Sequence, residues 1–295
     1  MEGHEGQVAL TPSADGEIAW FSEVFRSAEA EIRRVLLGQD DAIRGALVAL
    51  FAGGHVLLEG PPGIGKTLLA RCIARVLGVT FKRIQFTPDL MPSDVTGSTV
   101  WSQLESDFVF RAGPVFAQVL LADEINRAPS KTQAALLEAM GDRQVTVDGT
   151  TRPLPEPFFT IATQNPVESE GTYPLPEAQL DRFLTKVLIE HPEKHVEVTL
   201  LQHYLAGFDA SDLDAVGLKT VVDGAGIQSL KRIARRVRVD AAVLDYIATI
   251  VGRTREDPAV DLGASPRASI ALLLCSQVIA AAEGRSYVVD RKSVV

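Results

Sequence analysis

Residues 54–67 read Gly54-His55-Val56-Leu57-Leu58-Glu59-Gly60-Pro61-Pro62-Gly63-Ile64-Gly65-Lys66-Thr67. The apolar run His55 to Leu58 has the character of a buried strand. A Gly/Pro turn follows, and a helical pattern runs from about Lys66 to Leu77. The turn fits G-x-x-x-x-G-K-S/T in the strand–turn–helix setting that gives this spacing its meaning. Glycines let backbone N–H groups curl around a phosphate with no Cβ in the way, and the helix N-terminus adds partial positive charge. Lys66 can reach the β- and γ-phosphates of a nucleotide, and Thr67 can ligate Mg²⁺. Gly60, Pro61, Pro62, Gly63, Ile64, Gly65 and Leu68 complete the expected nucleotide-binding set.

Working outward, Phe81 to Phe86, Val119 to Ala122, Phe158 to Thr163 and Lys186 to Ile189 read as strands. Helical stretches stand between and before them: Glu17 to Leu37, Asp40 to Ala52 and Ser130 to Met140. Strands alternating with helices predict a parallel sheet with helices on both faces. The strand at Val119 ends in Asp123-Glu124, the acidic pair a P-loop requires. Asp123 would hold Mg²⁺ through water, and Glu124 would polarise the attacking water as general base. Asn165 ends the next buried strand. Ligands of open parallel sheets bind at strand C-termini, so its amide is expected in the same crevice, orienting the water.

Two insertions interrupt the rhythm. Ser98 to Trp101 and Phe108 to Phe110 form one expected hairpin, and Gln144 to Val147 and Thr150 to Leu154, around Asp148-Gly149, form the other. Residues 1–190 therefore read as an α/β P-loop core carrying hairpins at about 98–111 and 143–155. Residues 191–229 read as a helix (Glu193 to Leu205) and a loop-like linker from Gly207 to Gly226. Residues 230–295 read as a small all-α lid built on helical stretches at Ile227 to Arg236, Ala241 to Arg253 and Arg267 to Ala282.

The most specific stretches are Gly38-Gln39, 54–67, 113–140, 158–166, 171–183 and Ser265-Pro266-Arg267-Ala268-Ser269. On these the chain resembles the MoxR family of AAA+ ATPases over nearly its whole length. The resemblance implies ATP hydrolysis with Mg²⁺ at the subunit interfaces of a ring, commonly a hexamer. Asn165 resembles the family's first sensor. Arg182, in Leu180-Asp181-Arg182-Phe183, is similar to an arginine finger given to a neighbour's ATP. Arg267 resembles a second sensor carried by the lid, on its own or a neighbour's nucleotide. A guanidinium near a γ-phosphate contributes about 10³–10⁵ in kcat in other NTPases. Gly38-Gln39 would border the adenine. The two hairpins resemble insertions that face the ring's opening and touch a client. The resemblance also implies chaperone-like remodelling of partner proteins, with a von Willebrand factor A domain protein as a possible partner in metal-cofactor insertion. Members usually continue past the tract Gly284 to Val288 with a further helical segment; this chain ends at Val295. That implies an uncovered apolar face at Val278 to Ala282, or one covered by another subunit.

Composition narrows the function classes. The 295 residues carry a net charge of -9. Residues 1–190 hold 16 Lys+Arg and 25 Asp+Glu, while residues 191–295 hold 13 of each. The excess is expected on the outer surface or the hairpins (Glu105, Asp107, Asp148), which weighs against a nucleic-acid motor and favours a protein client. A metal-chelatase motor subunit and a non-hydrolysing nucleotide switch are two further functions compatible with a P-loop core. No run of 18 apolar residues predicts a membrane span, and Met1 to Gln7 lacks the character of a signal peptide, so a cytoplasmic location is expected. Cys72 and Cys275 read as buried, reduced thiols. His191 and His195 stand four apart, but Pro192 places His191 at a cap rather than in a zinc pair. Arg127 follows the acidic pair and could face the next subunit or pair with a carboxylate. The basic run Lys231 to Arg238 reads as a solvated helix face.

Overall fold

The computed structural model describes residues 14–166, 171–210 and 212–290. Met1 to Gln7 and the last five positions, 291–295, lie outside the described residues. The chain opens with α1 (Ala14–Arg33) and α2 (Asp40–Ala52), then β1 (Val56–Glu59), α3 (Lys66–Val76) and β2 (Phe81–Gln85). Next come a short helix α4 (Pro92–Thr96), the hairpin β3 (Gly97–Ser102) and β4 (Asp107–Ala112), and β5 (Val119–Asp123). A 3₁₀ turn (Ile125–Arg127) leads to α5 (Ser130–Asp142), the hairpin β6 (Gln144–Val147) and β7 (Thr150–Pro153), β8 (Phe159–Gln164), α6 (Glu177–Leu180) and β9 (Thr185–Leu188). The remainder is helical: α7 (Lys194–Leu205), α8 (Leu213–Val216), α9 (Gly224–Arg235), α10 (Ala241–Arg253) and α11 (Pro266–Ala282).

Five strands form one parallel sheet in the order β2-β5-β8-β1-β9. Successive side chains of a strand point to opposite faces, and in the three central strands β5, β8 and β1 both faces are buried. Val56 and Leu58 of β1, Val119 and Leu121 of β5, and Phe159 and Ile161 of β8 join an apolar core with α1, α2 and α3. Leu57, Leu120, Ala122 and Ala162 join a second core with Leu136, Leu137 and Met140 of α5. Both hairpins form, as antiparallel pairs outside the main sheet.

The C-terminal helices do not stand off from this body. Ile227, Leu230 and Ala234 of α9 and Val278, Ala280 and Ala281 of α11 belong to the first core. Ser22 Oγ of α1 donates to the Ala282 carbonyl at 2.7 Å. The expected exposed face at Val278 to Ala282 is therefore corrected: α1 of the same chain covers it, with Phe21, Phe25 and Phe51 packed edge-on and tilted nearby.

Three local expectations also change. The first helix stops at Arg33 rather than Leu37, because Arg34 N and Val35 N bond three residues back and tighten the chain ahead of Gly38. The linker from Gly207 to Gly226 holds α8 and the start of α9, each begun by an aspartate: Asp212 accepts from Ala215 N and Asp223 from Gly226 N. The basic run is not uniformly solvated. Lys231 is buried with the apolar face of α9, while Arg236 pairs with Glu17.

Candidate nucleotide site

The P-loop spans the gap between β1 and α3. Gly65 takes φ +91°, and a Cβ there would meet Leu36 Cδ1 at 2.6 Å, so only glycine closes this turn. Lys66, the first residue of α3, folds its Nζ back onto the Gly60 carbonyl at 2.5 Å and the Pro61 carbonyl at 3.2 Å. Burial lowers the Lys66 ammonium from its ordinary value, while Asp123, Glu124 and Glu59 pull the other way. Glu59, which closes β1, is also drawn upward by burial. Its bonds from Lys186 (2.7 Å) and Gln164, with the charges of Lys186 and Lys66, outweigh this and hold it below the usual carboxylate range.

Sheet order brings the acidic pair into place, since β5 lies between β2 and β8. Asp123 Oδ1 accepts from Thr163 Oγ1 at 2.6 Å, and Asp123 Oδ2 lies 3.4 Å from Thr67 Oγ1. A hydroxyl and a carboxylate are the hard-oxygen donors that Mg²⁺ takes, so Thr67 and Asp123 fit that cation. Asn165, buried, follows β8 on the same edge of the sheet. Glu124 takes φ +55°, a left-handed conformation sparsely populated by non-glycine residues and concentrated at functional sites. Its Oε2 accepts from Gln85 Nε2 at 2.7 Å and pairs with Arg127 Nε at 3.1 Å. Arg127 thus has a carboxylate partner within the chain.

Arg83 and Gln85 belong to no motif, and Thr163 lies inside the 158–166 stretch without being singled out there, so sequence reasoning misses all three as site residues. Alternation in the exposed half of β2, which puts Arg83 and Gln85 on one side of the strand, is the signal that could have found those two. Gln39 lines a cavity of about 500 Å³ with Leu36, Pro62, Ile64 and Leu68 on one side and His191, Leu200, Leu201 and Tyr204 on the other. Gly38, at φ +70°, lets α7 close this cavity: a Cβ there would meet Val196 Cγ1 at 2.8 Å. His191 is not the cap expected for it: the N-cap of α7 is Glu193, and His191, two residues earlier, forms a wall of the pocket.

Arg182 and Arg267 sit elsewhere. They line a separate cavity of about 1060 Å³ between α6, β9, α10 and α11, and none of its lining residues borders the P-loop cavity. Arg182 Nη1 donates to the Leu137 carbonyl at 2.6 Å. Asp181 accepts from Ser265 Oγ at 2.9 Å and lies 3.7 Å from Arg267 Nη1. The two arginines are thus gathered with each other, not with the chain's own P-loop. Cys275 lines this second cavity and is only partly buried, unlike Cys72; burial pushes the thiols up to about 11 and about 12 respectively. Among the described residues no helix is long and apolar enough to cross a membrane.

Comparison with known proteins bears on the family and the fold. Residues 55–185 match the profile of the ATPase family associated with various cellular activities (AAA), and residues 252–292 match the AAA lid domain. The chain is 41% identical to chaperone MoxR1 of Mycobacterium tuberculosis, over 98% of this chain and 78% of that protein. It is 33% identical to protein MoxR of Methylorubrum extorquens, over 88% of this chain and 81% of that protein. A solved structure of a candidate ATPase from Cytophaga hutchinsonii superposes with a TM-score of 0.84 at 37% identity, covering 93% of this chain and 84% of that one.

Proposed function

The chain belongs to the MoxR family of AAA+ ATPases, and from that premise we propose that it hydrolyses ATP in a ring, commonly a hexamer, to remodel partner proteins in the cytoplasm. The observation that carries this reading is the separation of Arg182 and Arg267 from the P-loop on two distinct cavities. Arginines that lie away from the chain's own phosphates are read as lent to a neighbour's nucleotide, each site being completed by the next copy, and head-to-tail contacts of that kind form a ring when the rotation closes.

In this reading the base sits against Gln39 and α7, and the phosphates lie over the P-loop amides with Lys66 turned from its own carbonyls towards them. Thr67 and Asp123 hold the divalent cation, which offsets charge on the phosphate oxygens. Glu124 accepts a proton from the attacking water, and the Asn165 amide orients that water without neutralising the carboxylate. Arg182 and Arg267 of the adjacent copy stabilise charge on the transferred group.

The hairpins are the client surface. Trp101, Leu104 and Phe108 stand exposed on the first, with Glu105 and Asp107 beside them. An acidic rim around aromatics disfavours a nucleic-acid backbone and suits an unfolded or extended protein segment. The chaperone name carried by the mycobacterial relative supports a remodelling role. A von Willebrand factor A domain protein is the proposed partner class, on family resemblance. Two free thiols, Cys72 and Cys275, accord with a reducing compartment.

The test mixes two inactive variants. Glu124→Gln should retain ATP and lose turnover by about 10²-fold or more, and Arg182→Ala should lose turnover by a similar factor. Mixed, they should recover activity, because one interface pairs an intact base with an intact arginine. Turnover by Glu124→Gln near that of the unaltered chain would sink the base assignment. Absence of recovery in the mixture would sink the shared site.

A further inference from the structure

We propose that Arg83 is a resident counter-ion of the magnesium locus, which a divalent cation must displace from Asp123. The inference rests on the nucleotide-site reading above. Arg83 places two N–H groups on a single oxygen: Nε at 3.0 Å and Nη2 at 2.7 Å from Asp123 Oδ2. That oxygen is the one facing Thr67 Oγ1. The other, Oδ1, is held by the fully buried hydroxyl of Thr163 and cannot turn towards the phosphates without breaking that bond.

A divalent cation, bound directly or through one of its waters, and the guanidinium compete for Oδ2, because the two N–H groups of Arg83 already take its lone pairs. Mg²⁺ requires near-octahedral oxygen ligands, directly or through water, and like charges on one carboxylate oxygen repel strongly at that separation. The partner free to leave is Arg83, whose side chain is 48% exposed, against 10% for Asp123. Its departure reaches further than the metal. The same Nη2 also donates to Gln85 Oε1 at 2.7 Å, and Gln85 Nε2 donates to Glu124 Oε2 at 2.7 Å. Removing the guanidinium releases one end of the amide that restrains the general base. Arg83 therefore links cation arrival at Asp123 to the freedom of Glu124, and acts as a positioning residue.

The experiment compares the affinity of a fluorescent ATP analogue in EDTA and in Mg²⁺ for the unaltered chain, Arg83→Met and Arg83→Lys. With Arg83→Met, uncovered Asp123 repels metal-free nucleotide, so that affinity should fall about three- to tenfold. The Mg²⁺ concentration at half-saturation should fall by a similar factor, because the competitor is gone. Arg83→Lys, which keeps the charge without the fork, should lie between, and remains informative if Arg83→Met fails to fold by circular dichroism. In an Asp123→Asn background the Arg83→Met change should have no further effect on metal-free binding. Equal weakening of both affinities, or a raised Mg²⁺ midpoint, would overturn the proposal while leaving the nucleotide site standing. Absence of nucleotide binding by the unaltered chain would overturn both.

Discussion

Thr163 Oγ1 lies 2.6 Å from Asp123 Oδ1 and donates to it. The same hydroxyl accepts the Glu124 backbone N–H at 2.9 Å, so one fully buried side chain on β8 holds both the Asp123 carboxylate and the backbone of Glu124. This hydroxyl fixes where the cation-side carboxylate points and helps hold the unusual backbone of Glu124.

Thr163→Val keeps the shape and removes both bonds. It should cost about 1–3 kcal/mol, read as a lower urea midpoint, because a buried N–H and a carboxylate oxygen each lose a partner. Turnover should fall about tenfold while nucleotide affinity, set mainly by the P-loop, changes less. Thr163→Ser should recover most of both. Equal stability and turnover in the valine variant would remove the role given to this hydroxyl.

The two hairpins are joined by Arg152, whose guanidinium lies 4.0 Å from the ring centroid of Phe110, while Phe110 meets Phe116 edge-on at the second core. Arg152 also donates to the Val147 and Thr150 carbonyls of its own hairpin. Arg152→Ala should raise amide hydrogen exchange in residues 97–112 and 144–153 together, with a stability loss of about 0.5–1 kcal/mol. Faster exchange confined to residues 144–153 would show the hairpins to be independent.

His55 is fully enclosed. Its Nδ1 accepts from Thr160 N at 2.9 Å and its Nε2 contacts the Met140 carbonyl at 3.3 Å. Burial, with Arg143 and Lys231 nearby, lowers it from 6.5 to about 4. The unfolded chain therefore binds a proton between those values and the folded chain does not, so stability should drop as pH falls from about 6.5 to about 4. The drop attributable to His55 is on the order of 3 kcal/mol. Urea titrations across that range should show a shallower slope for His55→Gln, and an unchanged slope would contradict the assignment.

Lys231 is buried on α9, and burial, with Arg143 and Arg235, lowers its ammonium to about 8. Its folded-state value lies below the ordinary 10.5, so the burial cost is fully present below about pH 8 and disappears as pH rises towards 10.5. Lys231→Met should stabilise the chain near neutral pH by on the order of 2 kcal/mol and abolish the gain in stability at alkaline pH. Destabilisation on this substitution would mean that the ammonium has a favourable role that its surroundings do not suggest.

The nucleotide core is legible in the amino-acid order alone. The P-loop spacing, the apolar strand ending in Asp123-Glu124 and the strand ending at Asn165 are local patterns whose periodicity and turn chemistry need no coordinates. The hairpins are legible for the same reason, through alternation around Asp148-Gly149 and between Trp101 and Phe108. What belongs to no local pattern required the folded chain. Strand order β2-β5-β8 brings Arg83, Gln85 and Thr163 onto the acidic pair from neighbours remote in the chain, and no spacing encodes that meeting. The cover that α1 gives to Val278 to Ala282, and the gathering of Arg182 with Arg267 away from Lys66, are equally long-range. Local propensity chose the elements. Burial of their apolar faces against distant partners chose which polar side chains would share a site.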